Sequence, residues 1–193
     1  MILIVNLCRH KLHSNEFVEP ICQIVANLGY KFDVISIRKV NRDIAMRYKG
    51  IIICGTALKD NWYVKSYKKF DFIKSCKVRI LGICAGMHII ALVFNSKLFK
   101  RSEIGVTDIR VIRDDYVLRI KKGKMNVYEL HSFSVQPSNH FIEIARSKKC
   151  IQIIKHKDMN IYGVLFHPEV LNRTIVENFA KSCFETNWIC GMK

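Results

Sequence analysis

Through the first half of the chain, short continuous apolar runs alternate with stretches whose apolar residues recur three and four positions apart. Residues 2–7 are apolar at almost every position, as expected of a strand covered on both faces in a parallel sheet. Ser14 then offers an N-cap. Phe17, Val18, Ile21, Cys22, Ile24, Val25 and Leu28 follow at helical spacing, with Gly29 at a C-terminal cap position. Residues 32–37 predict a second strand, 43–48 a short helix and 50–54 a third strand. A helix over 64–76 and a fourth strand opened by Val78 come next. This rhythm predicts an α/β fold: a doubly wound, mostly parallel sheet with flanking helices.

After a helix predicted over 85–94 the texture changes. Residues 104–112, 116–120, 125–130, 141–146 and 151–155 read as short strands separated by turns such as Lys121-Lys122-Gly123-Lys124, and so as a small antiparallel insertion. Residues 161–166 return to the sheet. An amphipathic helix over 172–184 closes the fold, with Ile175, Val176, Phe179, Ala180 and Cys183 on one face. There is no internal repeat or linker, and 193 residues are enough for one core. A single domain over 1–193 is the expectation.

Composition narrows the classes. Hydrophobic residues make up 50% of the chain, yet the apolar runs fall far short of the roughly 20 residues that span a bilayer, so no membrane segment is expected. Met1-Ile2-Leu3-Ile4-Val5 lacks a basic lead-in and reads as a buried strand, not a signal peptide. The 8 cysteines are scattered without a C-x-x-C pair. That usage points to a reducing, cytoplasmic setting with no disulfide framework and no zinc site. The net charge of +16 first suggests a solvated lysine-rich surface, then an acidic protein partner or phosphorylated substrate. Nucleic acid comes last, because no binding motif or aromatic-interleaved basic stripe accompanies the charge.

The candidate chemistry centres on Cys84. The fourth strand runs to Gly82, small residues surround the cysteine, and a helix resumes, so that Gly82-Ile83-Cys84-Ala85-Gly86 has the form of a nucleophile elbow. A helix N-terminus behind the sulfur stabilises negative charge developing there. A nucleophilic cysteine needs a base, and the base an orienting partner. His167-Pro168-Glu169 stands directly after the strand over 161–166. If that strand lies beside the Cys84 strand, His167 can take the thiol proton while Glu169 holds the other ring nitrogen.

At these residues the chain resembles the class I (triad-type) glutamine amidotransferases. Gly82-Ile83-Cys84-Ala85-Gly86-Met87-His88 is similar to their G-x-C-x-G-x-Q signature, and Gly163-Val164-Leu165-Phe166-His167-Pro168-Glu169 to their G-V-x-F-H-P-E signature. The likeness continues through Glu103-Ile104-Gly105 and His131-Ser132-Phe133. Within the family, Ile144-Ala145-Arg146-Ser147 and the short chain most resemble free-standing glutaminase subunits of GMP synthase.

The resemblance implies a flavodoxin-like fold and hydrolysis of the L-glutamine side-chain amide through a Cys84 thioester, with ammonia passed to a synthetase subunit. No cofactor is implied. Ala85 and the Gly55-Thr56 turn would supply oxyanion N–H groups, and Ser132-Phe133 would hold the amino-acid end of glutamine. Two positions depart from the family pattern. His88 stands where the family has Gln, at a substrate contact, and Thr56 where it has an oxyanion glycine. Threonine resists positive φ far more than glycine does. A γ-glutamyl or peptide cysteine hydrolase of the same fold, and an idle scaffold subunit, are the alternative functions. Among other residues, Cys8, His10 and His13 read as a polar loop and not a metal cluster. His140 and His156 read as surface residues, and Trp62 and Trp188 as packing aromatics.

Overall fold

The structure, a computed structural model, describes residues 1–185; Trp188 and Cys190 lie outside the described residues. Nine strands form one sheet: β1 (Ile2–Asn6), β2 (Phe32–Ser36), β3 (Gly50–Ile53), β4 (Arg79–Ile83), β5 (Lys97–Val111), β6 (Gly123–Gln136), β7 (Phe141–Arg146), β8 (Ile151–His156) and β9 (Ile161–Val164). Their order across the sheet is β2-β1-β3-β4-β9-β8-β7-β5-β6. β2, β1, β3, β4 and β9 pair in parallel, and β8, β7, β5 and β6 continue the sheet antiparallel. The predicted insertion is therefore the other half of the same sheet. The β5–β6 hairpin is also longer than its apolar pattern implied, because much of β5 is exposed on both faces and carries polar residues.

Helices cover both faces. α1 (Lys11–Phe17), α2 (Glu19–Asn27), the single-turn α5 (Pro168–Leu171) and α6 (Arg173–Ser182) pack on one side, where α2 meets α6 over Ile2, Ile4, Ile52 and Leu81. α4 (Ala85–Val93) and two 3₁₀ segments, Trp62–Lys65 and Tyr67–Ser75, cover Leu3, Val5, Ile51 and Ile53 on the other. α3 (Arg42–Ala45) is a short turn capped by Asn41, whose side chain accepts from the Ile44 N–H at 2.9 Å. The two-faced burial explains why β1 and β3 read as unbroken apolar runs.

Several boundaries differ from expectation. The helix predicted to begin after Ser14 starts at Lys11, so Ser14 lies inside α1, and its hydroxyl bonds Asn6 instead of capping. Pro20 is accommodated by starting a second helix at Glu19. Gly29, at φ +75°, ends it as anticipated. The expected α-helix over 64–76 is 3₁₀. The expected strand over 116–120 is a tight turn closed by the Asp115–Ile120 bridge, because the Asp115 side chain accepts from the Leu118 N–H at 2.8 Å and curls the chain locally. Among the described residues no helix is long and apolar enough to cross a membrane.

Candidate active site

β4 and β9 are adjacent and parallel, with Gly82 opposite Gly163, so their carboxyl ends deliver Cys84 and His167 to the same sheet edge. Cys84 sits between β4 and α4 at φ 49°, ψ −104°. Such a conformation in a non-glycine residue costs on the order of 1–3 kcal/mol and persists only where the surroundings impose it. Here the Cys84 N–H bonds Val164 O at 2.8 Å, and the His88 N–H bonds Cys84 O at 3.1 Å. The turn is possible because α4 runs hard against the sheet: a β-carbon on Gly86 would meet the Ile53 carbonyl oxygen at 2.1 Å. Ala85 opens α4 directly after Cys84, so its N–H has no partner within the helix.

His167 is buried and holds Glu169 through Nδ1 and Oε1 at 2.7 Å. With Nδ1 taken by Glu169, Nε2 is the ring nitrogen left for Cys84, whose side chain favours the protonated ring. Burial alone would lower the imidazole pKa, but Glu169 and Cys84 outweigh it and hold it well above the usual histidine value. The ring is backed by Phe17 at a centroid distance of 5.2 Å, and its backbone N–H bonds Tyr128 O at 2.9 Å. The Cys84 thiol also reaches Leu130 O at 3.7 Å.

Gly55 lies between these groups. A β-carbon there would stand 2.7 Å from His167 Cε1 and 3.6 Å from Cys84 Cβ. Next to it, Thr56 is buried, keeps its φ out of the positive region and donates its hydroxyl to Asp60 Oδ2 at 3.0 Å. Asp60 also receives the Arg9 N–H at 3.0 Å.

His88 is buried with both nitrogens engaged: Nδ1 with the Tyr63 hydroxyl at 2.7 Å and Nε2 with Phe133 O at 3.2 Å. A carbonyl only accepts, so Nε2 carries the proton and Nδ1 accepts from Tyr63. Burial, then the charge of His131, depresses the His88 pKa to about 3, which keeps the ring neutral. Sequence reasoning placed His88 near substrate but missed Tyr63, whose link to it depends on the 3₁₀ segment meeting α4.

Thr56, Cys84, Ala85, His88, Ser132 and Phe133 thus line one cavity, together with Ala57 and Leu58. Its volume of about 10 Å³ has room for about one water. Other readings change. His156 is buried, not a surface residue: its ring lies 4.6 Å from that of Phe94, and Nδ1 accepts from the Asp158 and Met159 N–H groups. Trp62 packs on the sheet edge and donates Nε1–H to Leu7 O at 3.1 Å. Cys8 contacts Gly55 O at 3.8 Å, and His13 faces Asp60 at 3.9 Å.

Residues 13–186 match the family model for glutamine amidotransferase class-I. The glutamine-hydrolyzing GMP synthase subunit of Pyrococcus abyssi is 32% identical over 188 residues, which cover 90% of this chain and 96% of that protein. The corresponding Pyrococcus furiosus subunit is 30% identical, with 90% and 96% covered. A crystallised Thermoplasma acidophilum protein, provisionally described as a GMP synthase subunit, superimposes with a TM-score of 0.82 at 24% identity. That match covers 94% of this chain and 92% of the other.

Proposed function

Because the chain belongs to the class I glutamine amidotransferases, we propose that it is the glutaminase subunit of a GMP synthase, a single amidotransferase domain over 1–193 acting in the cytoplasm. In this reading Cys84 Sγ attacks the side-chain amide carbon of L-glutamine and its proton passes to His167 Nε2. The tetrahedral oxyanion is met by the Ala85 N–H and by an N–H of the Gly55-Thr56 turn, each such donor being worth on the order of 3 kcal/mol of barrier. Collapse transfers the proton from His167 to the departing nitrogen, which leaves as ammonia. The γ-glutamyl thioester is then hydrolysed by a water that His167 deprotonates, and glutamate is released. Glu169 fixes the ring tautomer so that Nε2 faces the sulfur, and backbone at Ser132-Phe133 holds the amino-acid end of the substrate. The ammonia goes to a separate synthetase subunit, a reading supported by the naming of the two Pyrococcus relatives as subunits.

The observation that carries this reading is the 2.7 Å His167–Glu169 pair beside the Cys84 elbow, Nε2 left without a hydrogen bond. The cavity at the sulfur, about 10 Å³, is too small for glutamine and must widen before the substrate enters, which docking of the synthetase would drive. The test is glutamate and ammonia release from L-glutamine, measured with and without a GMP synthase synthetase subunit, beside Cys84→Ala. Partner-stimulated release lost in the variant is expected. Turnover restricted to γ-glutamyl conjugates would favour the hydrolase alternative, and no turnover with any partner the scaffold alternative.

A further inference from the structure

The turn after β3, which carries the second oxyanion donor, is tied down by one carboxylate. Asp60 Oδ2 accepts the Thr56 hydroxyl at 3.0 Å and the Arg9 N–H at 3.0 Å, so a single oxygen joins this turn to the loop after β1. Two further contacts run beside it: the Cys8 thiol reaches Gly55 O at 3.8 Å, and Trp62 donates Nε1–H to Leu7 O at 3.1 Å. Asp60 is itself held in a tight turn by its N–H, which bonds Ala57 O at 2.8 Å. His13 Nδ1 stands 3.9 Å from the same carboxylate oxygen, outside hydrogen-bonding range. Thr56 is 3% exposed and the Asp60 side chain 9%, so water competes little for the bond between them.

Position 56 carries threonine where the family pattern has an oxyanion glycine. Glycine offers neither a hydroxyl to hold nor a barrier to positive φ. Threonine has both, and in this turn the two act together. Turning φ of Thr56 into the positive region swings Cβ about the N–Cα bond, which carries Oγ1 away from Asp60. The hydrogen bond therefore adds to the conformational preference in keeping the turn as it stands. A bond to an ionised acceptor is also among the stronger ones, roughly twice as strong as a bond between neutral groups.

We propose, resting on the glutaminase reading, that Asp60 is a positioning residue for the oxyanion turn: through the Thr56 hydroxyl it holds the turn in a resting form, and glutamine hydrolysis is slow until that bond is released. The release can be driven from outside. Arg9, His10, His13, Leu58, Lys59 and Asp60 line a surface cleft of about 500 Å³, and Ala57 and Leu58 line both this cleft and the Cys84 cavity. A synthetase subunit docked over the cleft therefore reaches the Asp60–Thr56 bond without entering the cavity where the sulfur lies. Asp60 does not touch the substrate in this scheme. It acts through Thr56 alone, which sets it apart from Cys84, His167 and Glu169.

The test is glutamate release from L-glutamine, with and without a GMP synthase synthetase subunit, by full-length wild type, Asp60→Ala, Thr56→Val and the double variant. Thr56→Val keeps the β-branch and removes only the hydroxyl. Each single variant should raise partner-free kcat/KM about tenfold, the effect of losing one hydrogen bond to a charged group. The double variant should gain no more than either alone, because both changes break the same bond. At saturating synthetase all four should turn over alike, so the stimulation ratio falls by the same factor; a loosened fold would instead lower both rates together. Asp60→Asn, which keeps an acceptor oxygen, should gain no more than about threefold. Thr56→Val decides the matter if Asp60→Ala does not fold. Unchanged or slower partner-free turnover in Thr56→Val, or gains that multiply in the double variant, would overturn the proposal while wild-type turnover lost in Cys84→Ala kept the glutaminase reading intact. No wild-type turnover with any synthetase would remove both.

Discussion

The backbone of Gly55 lies so close to the His167 ring that a single added methyl would sit 2.7 Å from Cε1 and 3.4 Å from Nδ1. No flexible side-chain end can yield there: the ring is held by Glu169 at one nitrogen, and the tilted ring of Phe17 packs beside it. Gly55→Ala is therefore expected to push the imidazole off line with Cys84. kcat should fall on the order of 10²-fold, as for a misplacement of about 1 Å, with little change in melting temperature. Normal turnover in a folded Gly55→Ala protein would show that His167 is not the base.

Glu169→Gln keeps the shape of the partner but removes the charge that favours the imidazolium. A loss of kcat on the order of 10³–10⁴ is expected. The stability consequence has a definite sign. The raised folded pKa of His167 contributes stability that is fully present below its ordinary value near 6.5 and lost as pH rises through the raised one. Denaturation midpoints of wild type and Glu169→Gln should thus converge toward alkaline pH; a gap that widens there would contradict the pair.

His88 works in the opposite direction. Its folded pKa of about 3 lies below the usual 6.5, so between those values the unfolded chain binds the extra proton and stability drops as pH falls. The limiting slope is about 1.4 kcal/mol per pH unit. Removing the histidine with His88→Gln should flatten urea-derived stability between pH 6.5 and 4 relative to wild type. Parallel curves would mean that His88 titrates freely in the fold.

The same substitution separates positioning from packing. Glutamine can still donate to Phe133 O and accept from Tyr63, whereas His88→Leu strands both groups. His88→Leu should cost on the order of 2–4 kcal/mol of stability and raise the KM for glutamine, with His88→Gln largely restoring KM. Equal KM values in the two variants would remove His88 from the binding site.

Thr56→Gly addresses the turn. Bringing an N–H of this turn to the oxyanion by a flip to positive φ costs a β-branched residue on the order of 1–2 kcal/mol more than glycine. The glycine variant should gain about tenfold in partner-free kcat/KM, measured by glutamate release. No gain would mean that Thr56 already presents its N–H without flipping.

The places of the parallel strands along the chain, the helix end at Gly29 and the Cys84 elbow were legible in the sequence, because each is dictated by neighbours a few residues away: apolar runs, capping residues, small residues at a tight turn. The motifs around Cys84 and His167 likewise identified the family before any distance was known. What local pattern could not decide was which distant groups share a space. Tyr63 meets His88 only because the 3₁₀ segment packs on α4. Glu103, His131 and Cys150 converge only because β5, β6 and the β7–β8 turn fold onto one face. The meeting of Ala57 and Leu58 with Ser132 and Phe133 around the Cys84 cavity is of the same kind. Contacts of this sort arise from sheet register and from layers pressed together, and neither leaves a periodic trace along the chain.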